Sequence, residues 1–184
     1  MLTLVFSTIS HAENLELKLV LKDLAKINHI NAEFEEIKSI NILENKIKLS
    51  GLLEYRAPDS ITKKTLQPTS ELFVVKGNDL HIKNAAGEET DLLLTNYPVV
   101  EMFVEAYRGL LAGNLKKLRN YYEVQFTGNI KHWTITLTPI EEEALELISI
   151  ITAEGIGENI HKVIINEANG DSSIMQIKNT QDGG

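Results

Sequence analysis

From Lys46 to Arg56 the chain reads KIKLSGLLEYR, and no other run in it constrains the fold as tightly. Ile47, Leu49, Gly51, Leu53 and Tyr55 share one face, while Lys46, Lys48, Ser50, Leu52, Glu54 and Arg56 share the other. Side chains alternate between the two faces of a strand, so this segment is a strand with one buried side. One-sided burial belongs to antiparallel sheets, because parallel ones are covered on both faces. The run breaks at Arg56-Ala57-Pro58 and resumes towards Thr65 with little apolar to bury. Pro58 holds Ala57 extended and removes a ladder donor, which suits an edge or a kinked strand.

Period two begins at Ala32 in AEFEEIKSI and recurs at hairpin spacing further on. ELFVVKGNDLHIKNAAGEETDLLLTN is read as three strands with turns at Gly77-Asn78 and Ala86-Gly87. YEVQFTGNIKHWTITLTP is a hairpin about Gly128-Asn129, ended by Pro139. ALELISIITAEG and HKVIINEANGDSSIMQIKN, with a turn at Asn169-Gly170, supply the last strands, and the terminal NTQDGG is expected to fray. Helical spacing occurs in three places. Leu17, Val20, Leu21, Leu24 and Ile27 predict an amphipathic helix over about residues 15–28. Val99, Val100, Phe103, Val104, Tyr107, Leu110 and Leu111 form a broad stripe, stopped by Gly113-Asn114, and LKKLRNYY is a short helix after it. Many strands and few amphipathic helices make an α+β fold in which helices cover one face of a large curved antiparallel sheet.

The composition removes most chemistries. A net charge of −8 over 184 residues, with Lys and Arg scattered among acids, excludes nucleic acid as a partner. The absence of cysteine removes thiol catalysis, disulfides and zinc-ribbon sites. His11, His29, His81, His132 and His161 have no metal-ligand spacing, so no metal and no cofactor are expected. Glu35-Glu36, Glu88-Glu89 and the run Glu141-Glu142-Glu143 are read as solvated, the last as a loop or polar edge. EGIGEN lacks the pattern of a phosphate loop, and no GxSxG elbow occurs. No catalytic residues are assigned, and the chain is read as a non-enzyme.

LTLVFSTI, followed by Ser10-His11-Ala12, fits the remnant of a secretion signal cut after Ala12. The run is short and lacks a basic start, so a buried first strand remains the alternative. The expected division is residues 1–12 as signal remnant and 13–184 as one domain.

The order of motifs resembles the LolA-like family of periplasmic lipoprotein carriers. AEFEEIKSI is similar to the family's Phe-x-Gln-x-Lys strand, with Phe34 and Lys38 matching and Glu36 standing where Gln is usual. LSGLLEYRAPDSI is similar to its Gly-x-Leu-x-aromatic strand and Arg-x-Pro or Arg-Pro corner; LFVVKGNDLHI, LLAGNLKKL and FTGNIKHWTITLTP extend the similarity from about Leu15 to Lys178. The resemblance implies an incomplete antiparallel β-barrel closed by helices over an apolar cavity. It also implies a monomeric carrier in the periplasm of a Gram-negative bacterium. Its cargo would be an acylated lipoprotein or other lipid, received from an inner-membrane export complex and passed to an outer-membrane acceptor. The alternative is a LolA-like lipid-sensing or assembly module acting through a protein partner.

On that reading the cavity candidates are Leu53, Tyr55, Phe73, Val75, Trp133 and Ile135 on strands and Val100, Phe103, Val104 and Tyr107 on a helical lid. The same residues serve equally as a filled core. The family's lid-bonding arginine directly precedes the proline, whereas here Ala57 does and the arginine is Arg56. One residue of slip on a strand reverses the face, so Arg56 is a lid-latch candidate only if a bulge realigns it. Without one it lies on Glu54's face, away from Leu53 and Tyr55.

Overall fold

The computed structural model describes the backbone of residues 6–180 and the side chains of 15–180. The expected signal remnant, residues 1–12, therefore lies outside the described side chains and, for residues 1–5, outside the described residues altogether.

Helix α1 (Phe6–Leu24) leads into β1 (His29–Ser39), β2 (Ile47–Arg56), β3 (Ser60–Gln67), β4 (Glu71–Lys76), β5 (Asp79–Lys83) and β6 (Glu89–Leu93). A 3-10 turn (Leu94–Asn96), α2 (Pro98–Leu111) and α3 (Leu115–Leu118) follow. The chain ends through β7 (Tyr122–Gly128), β8 (His132–Pro139), α4 (Glu142–Leu145), β9 (Ile148–Ile156), β10 (Asn159–Glu167) and β11 (Ser172–Asn179). All strands join one 11-stranded antiparallel sheet in the order β6-β5-β4-β3-β2-β1-β11-β10-β9-β8-β7. Two meanders thus meet where β1 pairs β11, from Ala32 opposite Asn179 to Ser39 opposite Ser172. β6 and β7 are left as unpaired edges, so the barrel is not closed. The helical excursion of residues 94–121 spans that opening in sequence. This is the incomplete barrel expected of the chain.

Two cores fix the helices to the concave face. Leu17, Val20, Leu21 and Leu24 of α1 pack with Met102, Ala106 and Leu110 of α2 against Phe126, Trp133, Ile135, Leu137 and Ile151. A smaller cluster joins Val104 of α2 to Val75, Leu80 and Leu94. Close approach at two glycines shapes the sheet. A Cβ on Gly155 would stand 1.9 Å from the Trp133 ring, whose indole N–H donates to Gly157 O at 2.8 Å. A Cβ on Gly51 would meet Lys64 O at 2.0 Å and the Phe34 ring at 2.9 Å.

Three local expectations change. The first helix ends at Leu24 rather than about residue 28; Ile27 N closes a turn on Leu24 O, and Asn28 O accepts from Ala57 N at the head of the sheet. The Glu141 run is a helical turn, not a loop. Ala144 is buried beneath it, and Glu142 and Glu143 occupy its first turn, where carboxylates meet unpaired backbone N–H groups. The Arg56-Ala57-Pro58 corner is not at a sheet edge either: it is the turn between two interior strands, with Ala57-Pro58 in cis.

Candidate functional site

Between the two cores the concave face is not filled. A cavity of about 590 Å³ opens there, within the ordinary range of ligand pockets. Strand parity decides its walls. Odd residues of β2 and β3 (Leu53, Tyr55, Ile61) turn inward, as do even residues of β1 (Ile30, Ala32). Ile160, Val163 and Ile165 of β10 and Met175 and Ile177 of β11 complete the far wall. Phe73 and Ile82 line the near side. α2 forms the roof with Val100, Phe103, Val104, Tyr107, Leu110 and Leu111.

Of the ten sequence-derived cavity candidates, Leu53, Tyr55, Phe73, Val100, Phe103, Val104 and Tyr107 line this space. Val75, Trp133 and Ile135 do not. They share the inward face but are packed solid, Val75 beneath Val104 and Leu94, and Trp133 and Ile135 in the core under α1. Parity identified the face; which helix covers each stretch of it is a tertiary matter. The aliphatic wall from β1, β10 and β11 was missed, although the same alternation marks it.

Arg56, the lid-latch candidate, contacts Glu54 and not α2 among the described residues. No bulge realigns it: it pairs with His29 on one side and Ser60 on the other. Its side chain is 65% exposed and donates to Glu54. The arginine at the corner is Arg108 of α2, almost wholly buried. Its Nε donates to Asp59 O at 2.9 Å, and its Nη2 to Asp59 O at 2.5 Å and Gly77 O at 2.7 Å. One helical guanidinium therefore holds the β2–β3 and β4–β5 turns together. Glu105, one turn back, pairs with Arg108 Nη1 at 3.1 Å and with Lys117 Nζ of α3 at 2.6 Å. The signal was available: Glu105 and Arg108 interrupt the helix at i, i+3, a pairing distance.

The cavity also contains a charged cluster. Glu35 and Glu36 were read together as solvated, yet neighbours on a strand face opposite ways. Glu35 is outside, and Glu36 points into the cavity, 3% exposed. Its Oε1 accepts from Ser173 Oγ at 2.5 Å and its Oε2 from Lys63 Nζ at 2.6 Å. Burial pushes the Glu36 carboxyl up, but the Lys63 charge and the hydrogen bonds from Lys63 and Ser173 outweigh it, with the Lys38 charge adding, and hold it below the ordinary value. The Tyr107 phenol is pushed well up by burial, with the Glu36 charge adding. Among the described residues no group of His, Asp or Glu side chains could hold a metal ion, and no helix is long and apolar enough to cross a membrane.

A family model described as outer membrane lipoprotein carrier protein LolA-like matches residues 9–176. No characterised protein matched in a direct sequence search. Among solved structures, the lipoprotein LppX of Mycobacterium tuberculosis superposes with a TM-score of 0.51 at 12% identity, over 95% of this chain and 98% of that one. The LolA superfamily protein of Nitrosomonas europaea gives 0.49 at 12% identity, over 90% and 93%. At such identities the likeness to LppX is one of fold.

Proposed function

The chain belongs to the outer membrane lipoprotein carrier protein LolA-like family, and from that premise we propose that it binds the acyl chains of a lipoprotein or other lipid in the cavity under α2. It carries them through the periplasm towards the outer membrane without a chemical step, as a monomer. An inner-membrane export complex supplies the cargo and an outer-membrane acceptor removes it.

The observation that carries this reading is an unfilled, mostly apolar cavity of about 590 Å³ roofed by α2. Transfer of a methylene from water gives about 0.8 kcal/mol. A chain of about twelve therefore gives roughly 10 kcal/mol before at least ~4 kcal/mol is lost on association. Useful affinity needs no catalytic or charged group. A carrier must also let go: α2 is held by Arg108 to two turn carbonyls and by Met102, Ala106 and Leu110 to α1, and opening the roof parts these contacts while the sheet stays paired.

The test is native mass spectrometry of protein isolated from its host, followed by transfer of a loaded fluorescent acyl lipid to vesicles. A bound acyl species that passes to vesicles is the expected result. A clean unliganded mass with no uptake of added lipid would overturn the reading. Retention without transfer would replace the carrier by a lipid-sensing module.

A further inference from the structure

One part of the cavity wall is charged. Gly51 of β2 stands between Phe34 of β1 and Thr65 of β3. Lys63 of β3 lies across β2: its Nζ is 4.9 Å from the Phe34 ring centroid and 2.6 Å from Glu36 Oε2. Lys38 of β1 has its Nζ 3.8 Å from Glu36 Oε1. Two ammonium groups share one carboxylate, so this cluster carries one positive charge in excess. An ammonium has three N–H donors, and among the described residues Glu36 is the acceptor recorded for Lys63. Lys38 and Lys63 both line the cavity. The remaining acids of the lining do not cancel them. Glu54 is engaged by Arg56 and His29, and Glu71 and Glu158 are exposed. Glu36 is buried while Lys63 and Lys38 are 27% and 44% exposed, so the ammonium groups stand at the cavity rather than in a packed core.

We propose that the cluster is a headgroup subsite, and that the amphiphile held in the cavity carries a single negative charge. Its oxyanion, a carboxylate or a phosphate diester, accepts from the free N–H donors of Lys63 and Lys38. Its chain runs past Leu53, Phe73 and Phe103. Glu36 orients Lys63 and, being itself anionic, competes mildly with the ligand. This deepens the lipid-binding reading above and rests on it.

The test uses the full chain, stripped of lipid, and competition against a neutral fluorescent acyl probe. Dodecanoate, dodecanol and dodecyltrimethylammonium share a chain and differ in head charge. Dodecanoate should displace the probe at about tenfold lower concentration than dodecanol, the size of one charge-assisted hydrogen bond, with the cation weakest. Lys63→Met and the more exposed Lys38→Met should each reduce that preference, read as the ratio of the dodecanoate to the dodecanol displacement concentration. Glu36→Gln should increase it, which a purely structural pair would not do. Equal binding of dodecanoate and dodecanol by the unaltered protein overturns the subsite and leaves the lipid reading standing. Failure of the probe and of all three amphiphiles to bind overturns both.

Discussion

Replacing Arg108 by methionine tests whether α2 is a roof that opens by itself. The guanidinium makes three bonds to the Asp59 and Gly77 carbonyls and one to Glu105. A hydrogen bond to a charged group contributes about 1.5–3 kcal/mol, but carbonyls freed in turns regain water. The Glu105 charge stays paired with Lys117 Nζ at 2.6 Å, although its Oε1 loses the Arg108 bond. The net loss at the α2–turn contact is then about 3 kcal/mol, or roughly a hundredfold in the opening equilibrium. Hydrogen exchange read by peptide mass resolves it, because local opening and global unfolding expose different amides. Amides of residues 98–111 should exchange about a hundredfold faster, while those of β9 and β10 keep their protection. Dissociation of a bound acyl probe should accelerate in step. Arg56→Leu, at an exposed site, should change neither. Unchanged protection of α2 would refute the latch. Uniform acceleration across both halves would mean that Arg108 holds the whole fold rather than its roof.

Three further outcomes follow from the same contacts. Phe103→Glu or Leu53→Glu places a carboxylate among the aliphatic walls and should abolish uptake of a neutral acyl probe; folded variants with full uptake would remove these residues from the binding surface. Glu36 titrates lower in the folded chain than unfolded, so its contribution is full above the unfolded value near 4.5 and is lost as pH falls through the folded one. Acid unfolding curves should therefore lose part of their pH dependence in Glu36→Gln, and identical slopes would count against the Lys63 pairing. Gly155→Ala drives a methyl into the single tryptophan and should destabilise by about 1–3 kcal/mol. Thermal melting with Trp133 fluorescence measures that, and an unchanged midpoint would mean the ring can move aside.

Most of the strand plan is legible because it depends on nearest neighbours. Gly77-Asn78, Gly128-Asn129 and Asn169-Gly170 each close a hairpin where expected, with Gly77, Gly128 and Gly170 at positive φ. The alternation of Leu53 and Tyr55 against Glu54 and Arg56 assigns the inward face of β2 correctly. Pairing across the two meanders is different. Nothing local in AEFEEIKSI says that Phe34 will sit opposite Ile177, more than a hundred residues away. That pairing makes β1 and β11 interior strands; β1 and β4 flank β2 and β3, so the Arg56-Ala57-Pro58 corner turns between two interior strands rather than at an edge. The corner then acts through backbone carbonyls, not through its arginine.

The same distinction separates core from cavity. Trp133, Ile135 and Val75 have the alternation of Leu53 and Tyr55, and no property of the residues themselves tells them apart. What differs is the helix above. α1 presents Leu17, Val20, Leu21 and Leu24 to the first two, and Val104 covers the third. Leu53 and Tyr55 instead face a stretch of α2 held at the height its arginine sets. Glu105 and Arg108 are the buried charges of α2, and they are the sequence trace of the cavity: beside the packing of Met102, Ala106 and Leu110, they anchor the helix to turns at the rim. Glu36 is a second trace of the same kind. A lone acid on the inward face of a strand needs a partner of opposite charge reaching from elsewhere. Lys63 reaches it from β3 across the intervening β2. Unlike the apolar stripe, which any filled core would share, these polar residues at inward positions mark where the fold departs from simple packing.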